Sequence, residues 1–425
     1  MTVTSPRPPD NRPAPAPAAP AQRSLPGWLA LLDRPLTSYY LILGITMLLL
    51  ALGLVMVLST SSAAALDSGT SPYAGFQKQL FGVVLGLPLM WLAARSSPAV
   101  FRALAYPLMG ISMLGMLLVM VPGIGVTING ATRWLDLGPL QVQPSEFAKL
   151  AFVLWGADLL ARKEKLRQLT DWRQLLVPLL PGAAVLALLV MLEDDLGTTF
   201  LLLIIFLALL WVIGTPGRLF VMMLALMAFV IIVLIIVEPY RLDRLTGFLD
   251  PQTQAAGGGY QPLEGKYALS SGGWFGVGLG ASREKFGYVP NATTDFIFAI
   301  IGEELGLVGT LCVSALYGGL AYAGLRIARR VPDTFMRLAA AAATAWIALQ
   351  ALVNIGAVIG MLPITGVPLP LVSAGLSSLI VTLAALGMLM SFAKREPGAS
   401  QALAAAGPGV PRRILSWLGL TGRRE

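Results

Sequence analysis

Long apolar runs separated by short polar segments occupy most of the chain. A helix needs about 20 apolar residues to cross a bilayer. Ten runs approach that length, at residues 38–62, 76–95, 99–122, 145–161, 174–192, 196–214, 218–237, 295–327, 335–361 and 368–393. The pattern predicts an all-α integral membrane protein with about ten transmembrane helices and one large polar loop, residues 238–294, between the seventh and eighth.

The two ends of the chain lack such runs. Residues 1–36 are rich in proline and alanine and hold little that could build a core, which predicts a disordered tail. No apolar stretch followed by a cleavage site opens the chain, so the first run is expected to act as an uncleaved anchor. Residues 37–394 then form the membrane domain, and residues 395–425 form a second tail.

Composition supports this picture, and charge adds an orientation. Hydrophobic residues make up 56% of the chain and charged residues 12%, whereas soluble domains average about 25% charged. The formal charge of +8 does not indicate nucleic acid, because most lysines and arginines follow the even-numbered runs or lie in the C-terminal tail. The positive-inside rule therefore predicts a plasma-membrane protein with both termini cytoplasmic and residues 238–294 outside.

The residue types present limit the chemistry. The chain has no histidine, which excludes histidine catalysis and a histidine-ligated metal. Its single cysteine, Cys312, excludes an intramolecular disulfide framework. No nucleotide-binding motif follows a strand and opens a helix. Any acid–base catalysis would therefore use carboxylates, lysine or tyrosine, in a site made from helices and outer loops.

Two polar clusters flank the middle runs. Arg133 and Trp134 suit a pyrophosphate and a sugar, although Trp134 also fits an interfacial belt. Glu146 and Lys149, three residues apart after a proline helix start, either form a structural ion pair or contact substrate. The adjacent carboxylates of residues 193–195 repel one another, so they face water or share a cation, and we expect Asp195 to cap a helix.

The large loop and the run after it carry the third cluster. The loop carries lysines and arginines despite its predicted outer location, which indicates either a solvated face or an anionic ligand. Its glycines at residues 272–280 permit close backbone approach without forming a regular phosphate motif. Asp295 stands where the loop meets the apolar run, as a catalytic carboxylate or as a helix N-cap. Glu303 and Glu304 follow inside the run, where ionisable groups are costly, and are expected to support the cavity.

The fourth cluster begins with Gln350 and Asn354 and continues through residues 363–375, which contain three prolines and two glycines. Such a sequence at a membrane boundary predicts a broken or re-entrant segment. Non-helical backbone at that depth is tolerated only against protein or a watery cavity. The segment is therefore expected either to line a site or to form a rigid hairpin.

Together these clusters resemble the SEDS family (shape, elongation, division and sporulation) of bacterial membrane proteins, most closely its cell-division members. The resemblance covers residues 36–395. Its most specific parts are Gln143-Pro144-Ser145-Glu146, Thr294-Asp295-Phe296-Ile297-Phe298 with Glu303-Glu304, and Pro363-Ile364-Thr365-Gly366. Departures from the family pattern stand at Asp194, Asn291, Ala374 and Leu376, and Asn291 belongs to the inner lining of the site that the resemblance implies.

The resemblance implies a peptidoglycan glycosyltransferase that polymerises lipid II at the outer face of the plasma membrane, at the division septum. The implied partners are a class B penicillin-binding protein and other division proteins. Asp295 would be the catalytic general base of an inverting reaction, with undecaprenyl pyrophosphate leaving. The residues expected to bind substrate are Arg133, Trp134, Glu146, Lys149, Arg241, Arg244, Lys266 and Ser373.

A divalent cation, Mg²⁺ or Mn²⁺, is a further expectation, and no organic cofactor is expected. Two rival hypotheses stay open from the sequence. Buried charges and broken helices also mark transport paths, so the chain could be a lipid II flippase. It could also be a division scaffold without catalysis. The concentration of polar residues toward the outer surface favours the enzyme.

Overall fold

The computed structural model describes residues 34–69, 71–128, 130–136, 138, 141–166, 172–254, 257–399 and 401–402. The tails predicted at the two ends therefore lie almost entirely outside the described residues. Helices dominate the described part: α1 (Thr37–Ser68), α2 (Ala74–Arg95), α3 (Pro98–Val119), α4 (Pro144–Lys165), α5 (Trp172–Leu176), α6 (Leu179–Leu192), α7 (Leu196–Ile213), α8 (Gly217–Val237), α9 (Pro239–Leu249), α10 (Tyr260–Ser271), α11 (Ile297–Arg330), α12 (Thr334–Val358) and α13 (Leu376–Ala393).

Membrane-spanning character is confirmed for most of the predicted runs. Nine segments of the described chain are long and apolar enough to cross a bilayer, with α5 and α6 counted as one. The predicted run 145–161 coincides with α4, which has 22 residues but is not among the nine. Glu146, Lys149 and Asp158 make α4 more polar than a typical span. The total of ten spans stays a prediction.

The core of the bundle is built from helices with small residues at their contacts. α11 packs along α12, where a side chain on Gly324 would collide with Thr344. The run of alanines at residues 339–343 of α12 is buried throughout. Small residues let helices approach closely in a bilayer, where apolar burial alone gives little driving force. α2 packs along α13, α3 against α4, and α1 against α11, whereas α8 lies at the periphery.

A small antiparallel sheet was not predicted. Strands β1 (Gly125–Ile128), β2 (Ala131–Asp136) and β3 (Gln141–Val142) pair in the order β1-β2-β3 between α3 and α4. In this sheet Trp134 pairs with Val126, and Leu135 pairs with Val142. The sheet fixes the direction in which Arg133 leaves the backbone, on the opposite face from Trp134.

The large loop predicted at residues 238–294 is also partly helical, since it contains α9 and α10. These helices and the sheet lie at one end of the bundle, which we call the loop end. The segment at residues 361–375, between α12 and α13, is non-helical, as the prolines predicted. It folds back at the loop end and reaches the start of α11, where Ala374 donates a hydrogen bond to the carbonyl of Thr293.

Candidate functional site

Asp295 lies at the loop end, where α12 and the non-helical segment at residues 361–375 hold the backbone around it. Asn354 on α12 donates a side-chain hydrogen bond of 2.8 Å to the carbonyl of Asp295. The hydroxyl of Ser373 donates to the preceding carbonyl, that of Thr294, at 2.6 Å. The N-cap position of α11 is Phe296, so Asp295 does not cap that helix. Its half-buried carboxylate is therefore placed by the fold without serving as a helix cap.

The surroundings of Asp295 combine burial with positive charge. The carboxylate and the guanidinium of Arg244 both approach Gly366, whose positive φ of 72° and missing side chain leave room for them. Burial raises the pKa of Asp295 to about 6, and Arg244 opposes that rise. Asp295 also borders a cavity of about 10 Å³, which is about enough for one water molecule. The pKa of the carboxyl group is thus close to neutral pH, and the group lies beside a cation.

Arg133 holds the acidic turn at residues 193–195. Its guanidinium donates to the carbonyl oxygens of Glu193 and Asp194, at 3.0 and 2.5 Å, and lies 3.9 Å from the carboxylate of Asp195. Asp195 caps α7 by accepting a hydrogen bond from the backbone of Thr198, as predicted. Arg241 lies 3.5 Å from the exposed carboxylate of Asp194. Asp194 thus faces water, and the carboxylates of Asp194 and Asp195 lie near different arginines, so no single cation is shared by the three.

The sequence did not single out Glu193 from its two acidic neighbours. Its side chain is buried, whereas that of Asp194 is exposed. Burial, followed by repulsion from Asp195, raises the pKa of Glu193 to about 8. The signal was the adjacency of the three carboxylates, but only the turn geometry shows that Glu193 is buried beside Asp195, which raises its pKa.

Glu146 and Lys149 form the ion pair that their spacing allowed. The Lys149 ammonium donates to Glu146 at 2.7 Å and to the side-chain oxygen of Gln350 at 3.4 Å. Both ionic side chains are buried in the bundle interior, and Lys149 also lies over the ring of Trp346. A role for this pair in contacting substrate stays a prediction.

Side-chain amides hold the non-helical segment at residues 361–375. Gln350 donates to the carbonyl of Pro368, and Asn354 donates to that of Val367. Ser373 accepts a hydrogen bond from the backbone of Leu369, in addition to the one that it donates. Gln79 on α2, which the sequence did not indicate, bonds the backbone on either side of Ala374. The segment is thus fixed against α2, α11 and α12.

Two further predicted residues lie on the same end of the bundle. Lys266 on α10 is exposed and lies over Gly360, just before the non-helical segment. Trp134 is half-buried in β2. Among the described residues no group of three or more histidine, cysteine, aspartate or glutamate side chains is arranged to hold a metal ion.

Glu303 and Glu304 take partners from the large loop and from α1. Glu303 accepts hydrogen bonds from the hydroxyl of Ser282 and from the backbone of Arg283. Glu304 lies 3.0 Å from the buried ammonium of Lys285, and Ser59 donates to it at 2.6 Å. These carboxylates tie residues 282–285 to α11, a role that the sequence did not predict.

Comparison with known proteins identifies the family. Residues 39–397 match the profile of the FtsW/RodA/SpoVE family, described as cell cycle protein. Among curated relatives, the probable peptidoglycan glycosyltransferase FtsW of Mycobacterium tuberculosis is 42% identical over 386 residues, which cover 91% of this chain and 73% of the relative. The stage V sporulation protein E of Bacillus subtilis is 37% identical over 352 residues, covering 82% of this chain and 95% of the relative.

Solved structures agree with the sequence relatives. A structure described as the coordination of polymerization and crosslinking by a peptidoglycan synthase complex aligns with a TM-score of 0.67 and 29% identity, covering 83% of this chain and 96% of the other. The rod shape determining protein RodA of Thermus thermophilus aligns with a TM-score of 0.62 and 30% identity, covering 86% and 99%. The chain therefore belongs to the FtsW/RodA/SpoVE family, the SEDS family that its motifs indicated, with FtsW-type relatives among its close matches.

Proposed function

We propose that this protein is a peptidoglycan glycosyltransferase that polymerises lipid II into β-1,4 glycan strands during cell division, with Asp295 as its general base. The observation that carries the assignment is the Asp295 carboxyl group. This group borders a small cavity at the loop end, lies beside Arg244 and has a pKa of about 6. A base with a pKa near the working pH is the most effective proton acceptor.

The chemistry of the substrate explains why one carboxylate is enough. Lipid II carries its sugar on an α-linked pyrophosphate, and a β-1,4 product requires inversion in a single displacement. Asp295 would take the proton from the acceptor 4-hydroxyl as that oxygen attacks the anomeric carbon. Arg244, close to Asp295, is the best-placed cation for the departing pyrophosphate. Arg241, Arg133 and Lys266 add positive charge at the same end, although the first two also neutralise the acidic turn.

Replacement of the proposed base tests the assignment. Asp295→Asn should reduce lipid II polymerisation by purified protein in liposomes by about 10²- to 10⁴-fold, because it removes proton transfer. The thermal unfolding midpoint should stay close to that of the wild type. Asp250→Asn, which alters an exposed carboxylate of the same large loop, is the matched control and should retain activity. Normal glycan strands from Asp295→Asn would contradict the assignment.

The same preparation separates the enzyme from its rivals. Labelled lipid II in one leaflet reports transport across the bilayer, while gel analysis of products reports polymerisation. Polymer formation supports the enzyme. Leaflet exchange without polymer would support a flippase, and neither activity in the presence of partner proteins would support a scaffold.

A cross-linking partner is part of the proposal. One structural neighbour is described as a complex that coordinates polymerization and crosslinking, which supports pairing of this chain with a class B penicillin-binding protein. FtsW-type relatives support action at the division septum. The distribution of lysine and arginine supports a cytoplasmic location of both termini. A fluorescent fusion should mark the septum, and a sidewall pattern would favour elongation instead.

A divalent cation stays a separate proposal. The described residues offer no cluster of three metal-ligating side chains, and no step above is assigned to a metal. Mg²⁺ commonly binds through one or two carboxylates together with substrate phosphates, and lipid II brings a pyrophosphate. If such an ion takes part, chelation should abolish polymerisation, and addition of Mg²⁺ or Mn²⁺ should restore it.

A further inference from the structure

An apolar, glycine-rich stretch of the large loop plays no part in the site described above. Residues 272–281 contain no charged side chain, and their larger side chains face outward. Trp274, Phe275 and Leu279 are 69%, 82% and 60% exposed. Such exposure of consecutive aromatic residues in water is unfavourable, so these side chains require an apolar environment.

The backbone of this stretch is inserted into a break in α11. At Gly306 the helix has φ 68° and ψ −166°, which interrupts its hydrogen bonding. In a continuous helix the nitrogens of Leu307 and Val308 would bind the carbonyls of Glu303 and Glu304. Here the stretch supplies replacement partners on both sides of the break.

Four hydrogen bonds make this replacement. The nitrogens of Leu307 and Val308 donate to the carbonyls of Gly273 and Trp274, at 2.9 and 3.2 Å. The nitrogens of Val277 and Gly278 donate in turn to the carbonyls of Glu303 and Glu304, at 2.9 and 3.1 Å. Residues 273–278 are thus held at the level of residues 303–308 of the helix.

Both ends of the stretch are also fixed. A side chain on Gly272 would collide with the carbonyl of Gly302, so these two backbones are in direct contact. Beyond the stretch, the buried Lys285 ammonium binds Glu304, Ser59 and the carbonyl of Gly280. The position of the stretch relative to α11 is therefore set by packing, by hydrogen bonds and by an ion pair.

The depth of α11 in the bilayer follows from its exposed surface. The part before Gly306 is largely buried in protein, whereas the part after it has one exposed apolar face that includes Leu307, Leu311 and Leu325. The first charged side chain after Gly306 is Arg326, roughly 30 Å along the helix at about 1.5 Å per residue. That length matches the hydrocarbon core of a bilayer, about 30 Å. Gly306 therefore lies at one boundary of the hydrocarbon.

We propose that residues 273–279 are a membrane-inserted segment, with Trp274 and Phe275 among lipid chains at the boundary between hydrocarbon and headgroups. Non-helical backbone at such a depth needs internal hydrogen bonds, which the break in α11 provides. Aromatic side chains, tryptophan above all, are enriched at this boundary. The glycines thus let the backbone of this segment approach the backbone of α11. The segment is a lipid-contacting part of the loop that the sequence predicts to lie outside.

Fluorescence quenching in proteoliposomes measures the position of the segment. A bimane probe is attached at three single cysteines in the full chain: Phe275→Cys and Gln252→Cys, both with Cys312→Ala, and the natural Cys312. Gln252 is an exposed residue of the loop between α9 and α10, and Cys312 is exposed on α11 beyond the break. Aqueous iodide and lipids with a nitroxide near the headgroup or near the chain end are the quenchers.

The probe at residue 275 is expected to be quenched most by the nitroxide near the headgroup, and several-fold less by iodide than the probe at residue 252. The probe on Cys312 is expected to prefer the nitroxide deeper in the chain. Quenching at residue 275 by iodide alone would place the segment in water and overturn the proposal. Protection at residue 275 from both iodide and lipid would also overturn it, because another protein surface would then cover the segment.

Discussion

At the scale of single residues, the proposed catalytic role depends on two opposing effects on one carboxyl group. Burial stabilises the neutral form of Asp295, and Arg244 stabilises the charged form. Burial prevails, and it holds the pKa of Asp295 at about 6 instead of its usual value near 4. The group is therefore mostly ionised at neutral pH but retains useful basicity.

This balance predicts the pH dependence of polymerisation. A general base must be deprotonated, so kcat/KM of the wild type should fall as the pH is lowered through about 6. Arg244→Gln removes a charge that lowers the pKa of Asp295, so the acidic limb should move to higher pH. Arg218→Gln, an exposed arginine at the start of α8, is the control and should leave the limb in place. An unshifted limb in Arg244→Gln would contradict the electrostatic link between Arg244 and Asp295.

The buried pair of Glu146 and Lys149 gives a second prediction at this scale. Lys149→Met leaves a buried carboxylate without its cation and should destabilise the protein by about 3–5 kcal/mol. Replacing both members, by Glu146→Leu with Lys149→Met, should recover much of that loss. Thermal unfolding in detergent measures the changes, and Lys165→Met on the exposed side of α4 should cost less than about 0.5 kcal/mol. Equal stability of Lys149→Met and the wild type would refute a structural ion pair.

The residues of the site were predictable to different degrees. Asp295 stood out because a carboxylate beside an apolar run is costly, and the spacing of Glu146 and Lys149 allowed their pairing. The burial of Glu193 was not predictable, because it depends on how a turn packs. The partners of Lys285 lie on α1 and α11, 226 and 19 residues away in sequence. Contacts of that range follow from tertiary structure and leave no local pattern.

At the scale of secondary-structure elements, the broken helix α11 is the feature on which the large loop depends. Its backbone at Gly306 has a conformation open almost only to glycine, and the loop fills the gap in hydrogen bonding. The helix break and the loop therefore stabilise each other. Neither would be stable at a membrane boundary alone, since unpaired backbone groups are costly there.

Substitution of Gly306 tests this dependence. In Gly306→Ala the new side chain would meet the backbone of residues 274–276, and the conformation itself would be strained, at a cost of about 1–3 kcal/mol. Hydrogen exchange at residues 273–278 should speed up, and the unfolding temperature should fall. Gly318→Ala on the same helix is the matched control, because nothing lies within 4 Å of its added carbon. That variant should gain stability, by roughly 1 kcal/mol, and similar behaviour of both variants would argue against the inserted loop.

The secondary-structure elements also differ in how far the sequence predicts them. Hydropathy predicted the long helices because a bilayer requires continuous apolar stretches with all backbone groups satisfied. The sheet of β1, β2 and β3 and the helices α9 and α10 lie in polar sequence at the loop end. At the loop end the backbone can form hydrogen bonds with water, so composition does not specify one secondary structure. Packing against the bundle then determines which structure forms. The break in α11 was missed for a related reason, since hydropathy is insensitive to a single glycine.

At the scale of the whole molecule, the charge distribution predicts which side of the membrane the loop end faces. Basic residues such as Arg95, Arg102 and Arg162 cluster at the end opposite the sheet, near the C-terminus of α2 and the start of α3. The loop end also carries arginines and lysines, but Arg133, Arg241 and Lys285 are engaged with acidic or carbonyl groups of the chain. At the opposite end Arg102 and Arg162 pair with Asp333 and Asp158. The positive-inside rule counts lysine and arginine irrespective of such pairs, so it favours retention of that end in the cytoplasm.

Cysteine labelling in cells tests this orientation, on which access of the site to externally displayed lipid II depends. With Cys312→Ala as background, Gln252→Cys should react with a membrane-impermeant maleimide in intact spheroplasts, because it lies at the loop end. Ser97→Cys, exposed between α2 and α3, should react only after the membrane is permeabilised. Both positions are exposed, so a difference in labelling reports the side of the membrane and not burial. The reverse pattern would place Asp295 on the cytoplasmic side, where the proposed polymerisation at the outer face could not use it.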